Sequence, residues 1–295
     1  MRLLEASAKS AKAQEQTFEA QQDVLKKIRW EVQRTRQLAE ISQRAVSAPI
    51  LNDVWDFYRE RQLSFAATLD RLAEEELSFA RFGDGELRLM LRPEYKLRFQ
   101  ANSPGLQRGL RDVFEAAAPR LLIGMPHLYR DMHWSNVWTD IWYETKAYAD
   151  AHANFGNSHV SRPVYFEFEG EAGVERWRRI WDDRRVIIVT GAGSRFTLID
   201  ELFSNVRDLR RVESLPTGAF ADVGRLLGEL TAAKTAGAVV LVSLGPAGTV
   251  LAAELARQGV RAIDIGHISD SYQTVFQGAL WPEKKPLAQG AAIGK

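Results

Sequence analysis

AVVLVSLGPAGTVLAAELARQGVRAIDIG, residues 238–266, reads as strand, turn, helix and strand in succession. AVVLVSLG (238–245) is a continuous apolar run, the pattern of a strand covered on both faces. Gly245-Pro246-Ala247-Gly248-Thr249 interrupts it, and Pro suits a first helical turn, where its missing N–H costs nothing. VLAAELARQG is helix-forming, and VRAIDIG (260–266) is again a strand. Outward from this unit the same texture recurs in LSFARFG (77–83), RLLIGMP (120–126), RRVIIVTG (184–191) and LRRVESLP (209–216), separated by helical patterns. The alternation predicts a Rossmann-like α/β fold, a mostly parallel sheet with helices on both faces. In such sheets ligands bind beyond the carboxyl ends of the strands.

Composition bounds the function. The chain has 295 residues, 45% apolar and 26% charged, as in a soluble globular protein rather than a disordered one. A net charge of +1 carries no footprint for nucleic acid. The absence of cysteine excludes disulfides, zinc-thiolate sites and a cysteine nucleophile. No apolar run reaches the roughly 18 residues of a transmembrane segment, and MRLLEASAKSAKAQEQ lacks the apolar centre of a signal peptide. The expected location is cytoplasmic.

Residues 1–48 read as a long N-terminal helical arm that Pro49 ends, because 1–47 hold no Gly or Pro. Leu4, Ala11, Phe18, Leu25, Val32 and Ala39 repeat by seven, but the companion positions Ser7, Gln14, Gln21, Ile28, Thr35 and Ser42 are mostly polar. This half-formed heptad suits a weak coiled coil, making a homo-oligomer or docking a partner protein through residues 1–47; a flexible helical leader is the alternative. A second helix is expected from Trp55 to Leu77, with Phe57, Phe65, Leu69 and Leu72 on its apolar face.

Four strand ends carry chemistry. Arg81-Phe82-Gly83-Asp84-Gly85-Glu86 sets two carboxylates one residue apart, on the same side of an extended backbone, with Gly83 and Gly85 admitting a ligand. That suits Mg²⁺ or Mn²⁺ shared with ligand phosphates; an ordinary turn is the alternative. The turn at Gly245, Gly248 and Thr249 opens a helix and could hold an anion. His267, after the last strand, could ligate metal or touch phosphate. Gly191-Ala192-Gly193-Ser194-Arg195-Phe196, with Glu213 ending the next strand, outlines a dinucleotide-binding turn, but Phe196 replaces the third glycine. Arg195 there could meet phosphate oxygens. Trp134, Trp138 and Trp142 share a helix face, more as a core stripe than as a stacking surface for sugar rings.

RFGDGE, SRPVYF (161–166), IIVTGAGSRFTLIDELF (187–203), LGPAGTVLAAELARQG (244–259) and AIDIGHI (262–268), in this order, resemble the GT-D fold glycosyltransferases over about residues 75–275. The resemblance implies a catalytic domain at 49–285, followed by a flexible tail at 286–295. It implies transfer of a sugar from a nucleotide-sugar, a UDP-sugar, to a glycan or glycoprotein acceptor, as in the building of bacterial surface glycoconjugates. A divalent metal, Mn²⁺ or Mg²⁺, would sit at an Asp-x-Glu motif falling on Asp84 and Glu86, with His267 as a further ligand. Arg81, Gly83, Gly85, Ser194, Arg195, Gly245, Gly248, Thr249 and His267 would surround the donor, and Asp270 is the candidate base. The family's closing GHIDIEY is GHISDSY here: His267 and Tyr272 match, while Ser269 and Ser271 stand at the acidic positions. Two alternatives stay open: an NAD(P)-binding oxidoreductase using Gly191 and Gly193, and a non-catalytic scaffold with a vestigial pocket.

Overall fold

The computed structural model describes residues 2–116, 118–129, 131–232 and 237–285, with side chains from residue 14 onward. The expected tail at 286–295 lies outside the described residues. Among these, seven strands form one sheet: β1 (Ser78–Arg81), β2 (Leu121–Met125), β3 (Gly156–Asn157), β4 (Arg185–Gly191), β5 (Asp208–Ser214), β6 (Ala238–Ser243) and β7 (Ala262–Asp264). Their spatial order is β3-β2-β1-β7-β6-β4-β5, and every pair is parallel. The helices are α1 (Arg2–Arg59), α2 (Phe65–Glu74), α3 (Asp84–Leu91), α4 (Pro104–Glu115), α5 (Met132–Ala149), α6 (Pro163–Trp181), α7 (Asp200–Phe203), α8 (Val223–Ala232), α9 (Pro246–Arg257) and α10 (Ile268–Gln277).

Strand side chains alternate between faces, so an uninterrupted apolar strand feeds two cores. Val186 and Ile188 of β4 pack with Leu69, Trp177, Trp181 and Ile268, from α2, α6 and α10. Ile187 and Val189 pack on the other side, in a core that holds Leu110, Val250 and Leu251 together with the end of α1 and with α5. β3 was not anticipated, because two residues show no periodicity. It matters, since it carries the chain to the mouth of the sheet.

Two expectations about helices are corrected. α1 does not stop at Pro49; it runs through it to Arg59. An internal proline forfeits one backbone hydrogen bond and crowds the preceding turn, at about 3 kcal/mol. The turns beyond it are held from outside: Val54, Phe57 and Tyr58 are buried, and Asp53 accepts from Trp142 Nε1 at 2.6 Å and Lys146 Nζ at 2.8 Å. Nor is Trp55–Leu77 one helix. Phe57 closes α1, the chain turns, and Ser64 caps α2 by accepting from the Ala67 N–H at 3.1 Å.

Trp138 and Trp142 are fully buried, their rings 5.6 Å apart edge to face, so the stripe is core rather than a sugar platform. Burial along α1 begins at Ser47; upstream, residues 14–39 are exposed, including Phe18 and Val32. No helix among the described residues is long and apolar enough to cross a membrane. Removing the Asp53 carboxylate would leave the buried Trp142 indole N–H unpaired. Asp53→Ala is therefore expected to lower stability by about 1–2 kcal/mol in chemical denaturation followed by tryptophan fluorescence.

Candidate functional site

β1 and β7, the first and last strands, lie side by side at the middle of the sheet and end in Arg81 and Asp264. Arg81 Nε stands 3.5 Å from Asp264 Oδ1 in a buried ion pair. The Gly266 N–H donates to Asp264 Oδ1 at 2.9 Å. Thr249 Oγ1 donates to the Arg81 carbonyl at 2.7 Å and lies 3.3 Å from Asp264 Oδ2. Burial pushes the Asp264 carboxyl up, against the pull of Arg81 and these hydrogen bonds. Arg81 Nη1 donates to the Ser158 carbonyl at 2.7 Å, just past β3. Gly266 has φ +48°, and a Cβ there would fall onto the guanidinium, so both backbone conformation and space require glycine.

The acidic turn is not extended, as the sequence suggested. α3 begins at Asp84, so Asp84 and Glu86 lie on different sides of its first turn. Glu86 Oε2 turns back to accept from the Gly83 N–H at 2.9 Å, where a Cβ at Gly83 would displace it. Desolvation raises the Glu86 carboxyl to about 7, against Arg81 and the backbone donors. Asp84 stays half-exposed, its Oδ2 3.3 Å from His133 Nε2. Among the described residues no three His, Asp or Glu side chains gather as a metal set, so His267 does not join the two carboxylates. The half-exposed Asp84 carboxylate still fits Mg²⁺ or Mn²⁺, which takes one or two protein carboxylates and completes its shell with water and phosphate.

Cationic side chains border the same mouth. Arg162, at the N-cap of α6, is ion-paired to Glu283. Burial and neighbouring Arg81 lower its guanidinium to about 10, while Asp84, Tyr129 and Glu86 pull the other way. Arg195 Nη2 lies 3.5 Å from Asp270 Oδ2, Lys285 Nζ donates to Asp270 Oδ1 at 2.7 Å, and His267 Nδ1 is 3.7 Å away. Burial would raise the Asp270 carboxyl, but His267, Lys285 and Arg195 together hold it at about 2. A carboxylate held so firmly is a brace for cations, which corrects its reading as a base.

Two glycine turns are also corrected. Pro246–Val250 is buried, a Cβ at Gly245 would meet Phe99, and the Gly248 N–H donates to the Gly245 carbonyl at 2.8 Å. With Thr249 bound to Arg81, this helix start is a structural joint rather than an open anion site. After Gly191-Ala192-Gly193 no helix forms until Asp200, and α7 has only 4 residues. The helix N-terminus that a dinucleotide pyrophosphate needs is missing, which removes the geometry for the oxidoreductase alternative. Ser194 Oγ instead lies 3.5 Å from Arg211 Nη2. Arg162, His127, His159 and Lys285 border the site, and no glycine turn in the sequence marks them. Arg162 stood in plain view inside SRPVYF, immediately before a helix-starting proline.

The profile of the family described as Glycosyltransferase GT-D fold matches residues 79–289. The chain is 27% identical over 259 residues to Glycosyltransferase GlyD of Streptococcus pneumoniae, covering 83% of this chain and 31% of that protein. It is 28% identical over 238 residues to the Probable glycosyl transferase Gly of Streptococcus gordonii, covering 75% of this chain and 34% of that protein. The chain thus spans about a third of the length of these curated relatives. A solved structure of the domain of unknown function 1792, described as having a distinct glycosyltransferase fold, superposes with TM-score 0.66 at 26% identity, covering 77% of this chain and 84% of that one.

The clamp on Asp270 has a pH signature. Because its folded-state pKa lies near 2 against an ordinary 3.8, its contribution is complete above about pH 4 and vanishes as pH falls through 2. Asp270→Asn is expected to lose about 2 kcal/mol of stability at pH 7, measured by urea denaturation, with the gap from wild type closing toward pH 2. Gly266→Ala is expected to cost about 1–3 kcal/mol by displacing Arg81, read by thermal unfolding.

Proposed function

The chain belongs to the family of glycosyltransferases with the GT-D fold, and we propose that it transfers a sugar from a nucleotide-sugar, a UDP-sugar, to a glycan or glycoprotein acceptor. The observation that carries this reading is the convergence of Arg81 and Arg162 at the carboxyl ends of the sheet, close enough that the Arg81 charge adds to burial in lowering the Arg162 guanidinium. Paired guanidiniums match the fork geometry of phosphate oxygens, and each such charge-assisted contact is roughly twice as strong as a neutral hydrogen bond.

When the anomeric carbon–oxygen bond of a nucleotide-sugar breaks, negative charge grows on the departing diphosphate. Arg81 is held for that task by Asp264 and the Ser158 carbonyl, and Arg162 by Glu283 and the start of α6. Donors fixed before the reaction need no reorganisation as charge develops, which is the main source of rate in such sites. Arg195 and Lys285 are oriented by Asp270 at the border of the same mouth. Mg²⁺ or Mn²⁺ would be held by the half-exposed Asp84, with Glu86 able to join only by releasing the Gly83 N–H, and would supply further positive charge against the leaving group. The arm, residues 1–47, exposed from residue 14 to 39, is read as the surface through which the chain meets a partner or a second copy, not as part of this chemistry.

Calorimetry with UDP, with and without Mn²⁺, tests the reading. Wild type should bind, Arg162→Ala should weaken binding about tenfold or more, and Asp84→Asn should abolish the gain from Mn²⁺. Absence of binding of any nucleoside diphosphate to wild type would remove the assignment.

A further inference from the structure

Three side chains beside Arg162 have no part in the chemistry above: His127, Tyr129 and His159. Hydrogen bonds fix the tautomers of the two imidazoles. The backbone N–H of His127 donates to His159 Nδ1 at 3.0 Å. A backbone N–H can only donate, so His159 Nδ1 carries no proton and its Nε2 does. The backbone N–H of His159 donates to Asn157 Oδ1 at 3.0 Å, which sets the orientation of that buried amide. The Asn157 Nδ2 group therefore faces His127 Nδ1, at 3.4 Å, so His127 too is an Nε2–H tautomer. Asn157 is itself anchored, its N–H donating to Thr68 Oγ1 at 2.9 Å.

The two imidazoles flank one ring. Tyr129 meets His127 at 5.0 Å and His159 at 5.1 Å between centroids, both edge to face, and His159 also contacts Trp134 at 5.6 Å. The Tyr129 hydroxyl is buried and finds no hydrogen-bond partner among the described residues. Burying an unpaired hydroxyl costs free energy, and the Tyr129 hydroxyl keeps its full donor and acceptor capacity for a ligand. Burial together with nearby Arg162 keeps the His159 imidazole well below its ordinary range, so it is a neutral donor at pH 7.

We propose that His127, Tyr129 and His159 form the subsite for the pyranose ring of the donor sugar, with the two Nε2–H groups donating to ring hydroxyls and the Tyr129 hydroxyl completing the set. This rests on the nucleotide-sugar reading of the site. The chemistry favours a sugar over a phosphate: the donors are uncharged, the surrounding surface is aromatic, and the phosphate-matching guanidiniums lie immediately alongside. A hydroxyl that can both donate and accept, between apolar ring edges, is what a polyol with C–H faces requires.

The test compares UDP with UDP-glucose and UDP-galactose by calorimetry, in Tyr129→Phe and His127→Ala. The affinity for UDP should stay within twofold of wild type, while the affinity for the preferred UDP-hexose falls about fivefold or more. A parallel loss for both ligands, or no loss for either, overturns the proposal. An unchanged donor affinity with a raised KM for the acceptor would place a sugar ring there from the other substrate, and overturns it equally. Saturation-transfer NMR with methyl hexosides stands apart from the nucleotide: wild type should show contact to the ring protons and Tyr129→Phe should lose it, even if UDP binds nowhere. Nitrogen-15 NMR should find both histidines as Nε2–H tautomers at pH 7, and an Nδ1–H form of either overturns the arrangement.

Discussion

The buried ion pair between Arg81 and Asp264 is the constraint on which the rest of the mouth depends. It ties the ends of the first and last strands, and each partner recruits a further element: Asp264 holds the Gly266 turn, while the Arg81 carbonyl holds Thr249 of α9. Arg81 then reaches across to Ser158 beyond β3. One guanidinium thereby fixes the relative positions of three segments distant in sequence. Buried charge is expensive unless every polar atom around it is engaged. Here the expense secures a cation whose direction is set before any ligand arrives.

The same logic separates the carboxylates into roles. Asp264 and Asp270 are both buried and both paired, but against different odds: desolvation wins at Asp264, and three surrounding donors win at Asp270. Glu86 is folded back as a helix cap, whereas Asp84, two residues earlier, stays half-exposed. Four acids within one mouth thus divide into two braces, one cap and one half-exposed group, and only their surroundings distinguish them.

Much of this was legible in the residues. Continuous apolar runs such as RRVIIVTG and AVVLVSLG announce a strand buried on both faces, and the strand–Gly-Pro–helix passage at 243–250 announces the first turn of α9. The segments carrying Arg81, Asp84, Arg195 and Asp270 were identified because glycine and charge cluster there. What stayed hidden depended on tertiary contact. Pro49 lies within a helix because Asp53, Trp142 and Lys146 grip the following turn, and nothing local reports that grip. Thr249 has the chemistry of a phosphate donor, yet Arg81 claims it. His127 and His159 lie 32 residues apart and meet only because β2 and β3 are neighbours.

The forward part of α1 has a thermodynamic life of its own. From residue 14 to 39 it is exposed, its local supports being ion pairs such as Lys26–Asp23 at 3.5 Å and Arg36–Glu40 at 3.1 Å. Pairs of this kind contribute a few tenths of a kcal/mol each. This stretch therefore obeys helix–coil statistics, losing helix gradually on warming, whereas the body, a sheet covered by helices on both faces, gives way in one concerted step. Far-ultraviolet ellipticity will decline over a broad range before the indoles of Trp138, Trp177 and Trp181 meet water, and the two signals will never superimpose on a single melting curve.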